Sequence, residues 1–253
     1  MLKEIAKPEA RFTICGRDSY PASPRNNHSA DISSLPLAAA SRSLLHLDLL
    51  LSERVVDLDA VINVIKSDIG LVVQLLRLAS KTADWRSNNA MSISHWVVTA
   101  GRSGLRTLIR QTASFSSGSC NRSQNLMRER FWQHARLTGL IAEDLARHTT
   151  DSLNDEALLA AMMYQLVDLA QLLGWNAGMK TGELRQFASQ TATAWNLPGE
   201  LVEVVRGERN LCSTTKAAAL LDLACAANIW ACRLESLAAH ECGMQLPTTI
   251  SIE

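Results

Sequence analysis

The sequence predicts an all-α protein, a compact multi-helix bundle in which two helical halves pack around one central helix. Three observations predict it. Apolar residues recur at helical spacing through almost every segment. The breaks between segments are short and rich in Ser, Gly and Pro. One stretch, Asp155 to Trp175, is apolar around nearly its whole circumference, which marks a helix enclosed by others.

At 253 residues the chain can build one large or two modest domains. Its 25 basic and 25 acidic side chains cancel, so no global field draws it to nucleic acid or an anionic membrane. No uninterrupted apolar run approaches about 18 residues, so no membrane span is expected. The N-terminus lacks an apolar core followed by a small-residue cleavage site, so no secretory signal is expected. Cys15, Cys120, Cys212, Cys225, Cys232 and Cys242 are scattered, without a Cys-x-x-Cys pair. With that size they are expected as free thiols in a reducing cytoplasm.

Residues 1–32 read as an N-terminal extension and linker, poor in apolar residues after Ile14. The helical domain is expected over residues 33–240, followed by a tail, 241–253. Ser33-Ser34-Leu35-Pro36 offers a cap and a first-turn proline for a helix from Leu37 to Ser52, with Leu44, Leu45, Leu47 and Leu51 inward. Asp57-Leu58-Asp59 opens a second helix carrying Val61, Ile62 and Ile65. Ser67-Asp68 caps a third, Ile69 to Thr82. A helix over Ser94 to Ala100 is separated by Gly101 to Gly104 from one over Leu105 to Ser114. Arg102, Arg106 and Arg110 give this pair the outline of a DNA-binding helix-turn-helix, although Leu105, Leu108 and Ile109 equally suit packing.

Ser116 to Gln124 is polar and divides the halves. A helix from Asn125 to His148 should bury Phe131, Trp132, Leu137, Leu140, Ile141 and Leu145, with His134 turned to the same core. The central helix opens on Asp155 and Glu156, which suit its positive end, and Gly174 is its stop. Helices over Glu183 to Trp195, Leu201 to Arg206 and Thr214 to Ala239 complete the chain. Trp85, Trp132 and Trp195 are expected as core anchors. His95 reads as a packing residue beside Trp96.

The order of motifs resembles the HDOD domain, a bacterial signalling module related to HD phosphohydrolases. Ile65-Lys66-Ser67-Asp68-Ile69-Gly70, running into Leu75-Leu76-Arg77-Leu78-Ala79-Ser80, is similar to its acidic-small start and leucine-rich helix. Ile93 to Leu108 is similar to its next segment, which would make the helix-turn-helix outline a packing feature. Phe131-Trp132-Gln133-His134-Ala135 resembles aromatic-Trp-x-His-Ser. Leu159 to Leu169 aligns with Leu-Ala-Gly-Leu-Leu-His-Asp-Ile-Gly-Lys-Leu, and Trp195-Asn196-Leu197-Pro198 resembles a Trp-Gly-Leu-Pro turn. The resemblance covers Ser33 to Ala239.

Departures from the HD pattern bear on chemistry. A metal-dependent phosphohydrolase needs imidazoles and carboxylates around an ion that activates water. The His-Asp dyad falls on Tyr164-Gln165. The later histidines fall near Val205 to Arg209, where none stands, and the last Asp falls at about Cys225. Asp168 occupies the position of the family's Lys. The sequence therefore implies no enzyme, no catalytic residue, no metal and no cofactor. His134, Tyr164, Gln165 and Asp168 would form a vestigial pocket, either a satisfied buried polar cluster or a small-ligand sensor. Nucleotide-binding glycine loops, nucleophile elbows and His-Glu-x-x-His are absent.

The expected function is a regulatory or scaffolding module acting by protein–protein interaction. The resemblance implies signalling partners in trans: a kinase, a receiver or a cyclic-di-GMP enzyme. The alternatives are a residual HD-type phosphohydrolase and a DNA-binding regulator using residues 94–110.

Overall fold

The computed structural model describes residues 38–81, 92–114, 122–149, 154–172 and 179–241. The residue 1–32 extension, the Ser33 to Pro36 start, Trp85, Gly174 and the tail beyond Glu241 lie outside them. Among the described residues the chain is helical apart from one short pairing. In chain order come β1 (Ala38–Ala39), α1 (Ser41–Ser52), α2 (Leu58–Lys66), α3 (Ile69–Ala79), α4 (Ile93–Gln111) and β2 (Ala113–Ser114). Then follow α5 (Arg122–Thr149), α6 (Asn154–Tyr164), α7 (Leu166–Leu172), α8 (Thr181–Ala194), α9 (Gly199–Arg206), a 3-10 turn (Arg209–Leu211) and α10 (Thr215–Glu241).

The first helix starts later than expected. Ala38 and Ala39 are extended, paired in parallel with Ala113 and Ser114, and the Ala40 N–H donates to Asp68 Oδ2 at 2.9 Å. Those partners hold the backbone out of the helix until Ser41. On α1, Leu44, Leu47 and Leu51 are buried as expected, but Leu45 faces solvent. The caps of the next two helices stand where the sequence puts them. Asp57 accepts from Ala60 N, and Asp68 Oδ1 accepts from Gly70 N and Leu71 N.

The expected gap between two helices at Gly101 to Gly104 shrinks to one residue. Gly101, at φ 60° and ψ 179°, kinks α4 where only glycine is at ease. Ser92 caps this helix through His95 N.

The buried side of α5 also differs from expectation. Phe131 and Trp132 are inside, but Leu140 is exposed and Leu137, Ile141 and Leu145 are only half-buried. The inward stripe is instead Ala135, Thr138, Gly139, Ala142 and Ala146. Small residues let α6 approach closely, to the point that a Cβ on Gly139 would stand 3.2 Å from Met162 Cγ. In α6, Ala157 to Met163 are all fully buried, so the central position is as expected. Its length is not: the helix breaks at Gln165, and α7 continues separately.

The last helix lies on α5, α6 and α9. By length and composition Thr215–Ala239 is apolar enough to cross a membrane, with mean hydropathy 1.4, a test that the packed core helix of a bundle also passes. Trp132 and Trp195 are buried as expected, and so is Trp96, which the sequence reading did not single out as an anchor.

Candidate functional site

Each side chain of the expected pocket is placed by a different constraint. His134 sits on the small-residue face of α5, one turn before Thr138, and is wholly buried. Gln165 is the break between α6 and α7, where its backbone N–H turns back to Met162 O. Tyr164 and Asp168 stand either side of that break. His134 and Gln165 meet at Asn228, from the inward face of α10, and Tyr164 and Asp168 line a depression beside it.

The geometry is that of a closed polar bridge. His134 Nε2 lies 2.9 Å from Asn228 Oδ1, and Gln165 Nε2 donates to the same oxygen at 2.9 Å. His134 Nδ1 lies 3.1 Å from both carboxylate oxygens of Glu235. Thr138 Oγ1 donates to the His134 carbonyl at 2.9 Å. Both ring nitrogens thus face oxygen atoms, an arrangement that favours the protonated ring. Burial pushes the His134 pKa down, but the hydrogen bond and charge of Glu235, the Asn228 contact and the charge of Asp168 outweigh it, and the pKa stands above its ordinary value.

Beside this bridge a depression open to solvent is lined by Tyr164, Val167, Asp168, Arg185, Val205 and Asn228. Arg185 Nη1 donates to the carbonyls of Arg206 and Gly207 at 3.1 and 3.0 Å, closing the end of α9. That guanidinium occupies the region where the HD pattern would bring later histidines. The position nearest His134 on the last helix is Asn228, one turn beyond the Cys225 expected there. Asn228, Glu235 and Arg185 were missed by the sequence reading. The first two are seven residues apart on one helix face, but nothing in the sequence pairs them with His134.

These residues do not suit a metal. The dyad position offers a phenol and an amide, and both ring nitrogens of His134 are already engaged, by Glu235 and Asn228. Among the described residues no three His, Cys, Asp or Glu side chains are grouped as a ligand set.

The helix-turn-helix arginines are committed elsewhere. Arg102 Nε donates to Leu51 O at 2.7 Å, Arg106 Nη2 to the same oxygen at 3.2 Å, and Arg102 Nη2 to Glu53 O. They satisfy carbonyls at the end of α1. Arg110 donates to Thr107 on its own helix.

The other motif residues pair across the bundle. Trp132 Nε1 donates to Asp68 Oδ1 at 3.0 Å, and the Arg77 guanidinium lies 5.3 Å from the Trp195 ring centre. Asn196 adopts φ 57°, a left-handed conformation that favours Gly or Asn. This gives the Trp-Gly-Leu-Pro resemblance its physical basis.

Solved structures share this architecture. The MmoQ response regulator from Methylococcus capsulatus str. Bath superposes with a TM-score of 0.60 at 15% identity, over 85% of this chain and 96% of that one. A virulence factor from Campylobacter jejuni subsp. jejuni gives 0.59 at 14% identity, over 85% and 89%. No curated protein matches. The family model of the HDOD domain matches residues 37–182, more than half of the chain. The chain, with its motif residues meeting as they do at Asp68 and Trp132, belongs to the HDOD family.

Proposed function

We propose that this chain is a non-enzymatic regulatory and scaffolding module of bacterial signal transduction, acting by binding signalling proteins in trans. The observation that supports it most is the commitment of His134. Its two nitrogens face Glu235 and Asn228, beside a dyad position filled by Tyr164 and Gln165. A phosphohydrolase of the HD type would need that imidazole neutral and several more ligands beside it. Among the described residues no metal-ligand set is grouped, and in this reading the surface of the bundle carries the function. The name of MmoQ, a response regulator, supports a place in signalling. The partners proposed are a kinase, a receiver or a cyclic-di-GMP enzyme, met in the cytoplasm.

Affinity capture with the full chain, identified by mass spectrometry, tests the reading alongside metal analysis of the purified protein. Recovery of one of those partner classes, with metal far below one ion per chain, is expected. Stoichiometric manganese or iron together with phosphoester hydrolysis would overturn it. The DNA reading is not favoured, because Arg102 and Arg106 already bind the end of α1.

A further inference from the structure

The last helix carries an apolar seam that the other described residues cover only in part. Ala219, Leu223, Ala226, Trp230, Leu234 and Leu237 recur at spacings of four and three, a stripe about 27 Å long. Its two ends differ. Ala219, Leu223 and Ala226 are half-buried and mostly small, whereas Trp230, Leu234 and Leu237 are 50, 44 and 62% exposed. Asp222 and Arg233, three turns apart, flank the seam on the same side and are themselves exposed.

We infer that this seam pairs with the same seam of a second copy, antiparallel, about a two-fold axis level with Asn228. In that register each large residue meets a small one: Trp230 faces Ala226 of the second copy, and Leu237 faces its Ala219. Leu234 falls at Leu223. In antiparallel helix pairs like flanks adjoin, so Arg233 meets Asp222 of the second copy, twice by symmetry. Asp222 Oδ2 already receives Arg209 Nη2 at 2.9 Å, and its half-exposed carboxylate has room for a second guanidinium. A parallel pair would set Trp230 against Trp230 and would not bring Arg233 to Asp222. The seam thus complements itself in size and charge in one orientation. This goes beyond the function proposed above and does not rest on it.

Sedimentation equilibrium of the full chain should give twice the 27.7 kDa monomer mass. Leu237→Asp, at an exposed site, should weaken the dimer about a hundredfold, tenfold for each symmetric contact, with its circular dichroism unchanged. Asp222→Arg and Arg233→Asp should each weaken it severalfold, and the double swap should recover most of the loss. A chain that stays monomeric at about 100 μM, one that is monomeric and binds anionic vesicles instead, a dimer indifferent to Leu237→Asp, or a double swap no tighter than the singles would each overturn the pairing. Capture of a signalling protein by the Leu237→Asp monomer would separate the fate of this proposal from that of the scaffold reading.

Discussion

The indole N–H of Trp132 donates to Asp68 Oδ1 at 3.0 Å, joining the two halves of the chain through a fully buried carboxylate. Asp68 also receives Gly70 N, Leu71 N and Ala40 N. One side chain therefore caps α3, holds the extended entry to α1 and pins α5. Burial raises its pKa, and these donors only partly offset that push.

Trp132→Phe keeps an aromatic ring and removes the donor, with the five-membered ring that carries it. It should cost about 1.5–3 kcal/mol, the range for a hydrogen bond to a charged group. Urea denaturation measures it, and a loss below about 0.5 kcal/mol would show that the bond contributes little.

The His134 bridge makes stability depend on pH. Burial opposes the charge, but Glu235, Asn228 and Asp168 raise the folded pKa above 6.5. The folded state holds the proton more tightly, so this contribution is complete below the unfolded pKa and is lost as pH rises through the folded one. Denaturation midpoints of the wild type should fall from about pH 6.5 upward, and His134→Gln should flatten that fall. Cys232 acts in the same sense at higher pH, its thiol pushed up to about 11 by burial and by the charges of Glu235 and Asp168. Glu235→Gln should move the His134 titration to lower pH, followed by NMR of the ring protons. An unmoved titration would deny Glu235 its part.

Gly139 tests how closely α5 and α6 are packed. A Cβ there would meet Met162 Cγ at 3.2 Å and Leu158 Cγ at 3.4 Å. Gly139→Ala should lie within about 1 kcal/mol of wild type, since helix propensity offsets the crowding. Gly139→Leu should destabilise by about 2–3 kcal/mol. Equal melting temperatures for the two variants would contradict the close approach.

Lys66 joins α2 to α5 and α6 through Glu143 at 3.1 Å and Asp155 at 2.7 Å, and Ser92 donates to the other Asp155 oxygen. Lys66→Ala would leave Asp155 without its cation and Glu143 with only the more distant Arg147 at 3.9 Å, at about 2–4 kcal/mol. Lys66→Arg should retain most of the stability. Thermal melts of the two variants compare them directly.

Much of the pocket was legible because it rests on local pattern. His134, Tyr164, Gln165 and Asp168 were singled out from motif order alone, and they do converge, with Gln165 and His134 on one amide oxygen. The acceptors that define their chemistry were not legible. Asn228 and Glu235 lie 94 and 101 residues from His134, and their motif-free helix gives no sign of which face turns inward. The same limit explains Leu140 and Leu45. Hydrophobicity predicts burial on average, but α5 buries alanines and a glycine because close approach to α6 requires small side chains there.

By itself the sequence determined the all-α class, the caps at Asp57 and Asp68, the buried centre at Ala157 to Met163 and the loss of the His-Asp dyad. Each is a matter of residue type at short range, where helical period, capping chemistry and ligand chemistry act directly. The tertiary structure alone decided the break at Gln165, the closing of α1 by Arg102 and Arg106, the raised pKa of His134 and the exposed end of the α10 seam. Those depend on what a distant segment offers to a backbone carbonyl, a ring nitrogen or an apolar face, and helix spacing within a segment carries no information about its neighbour.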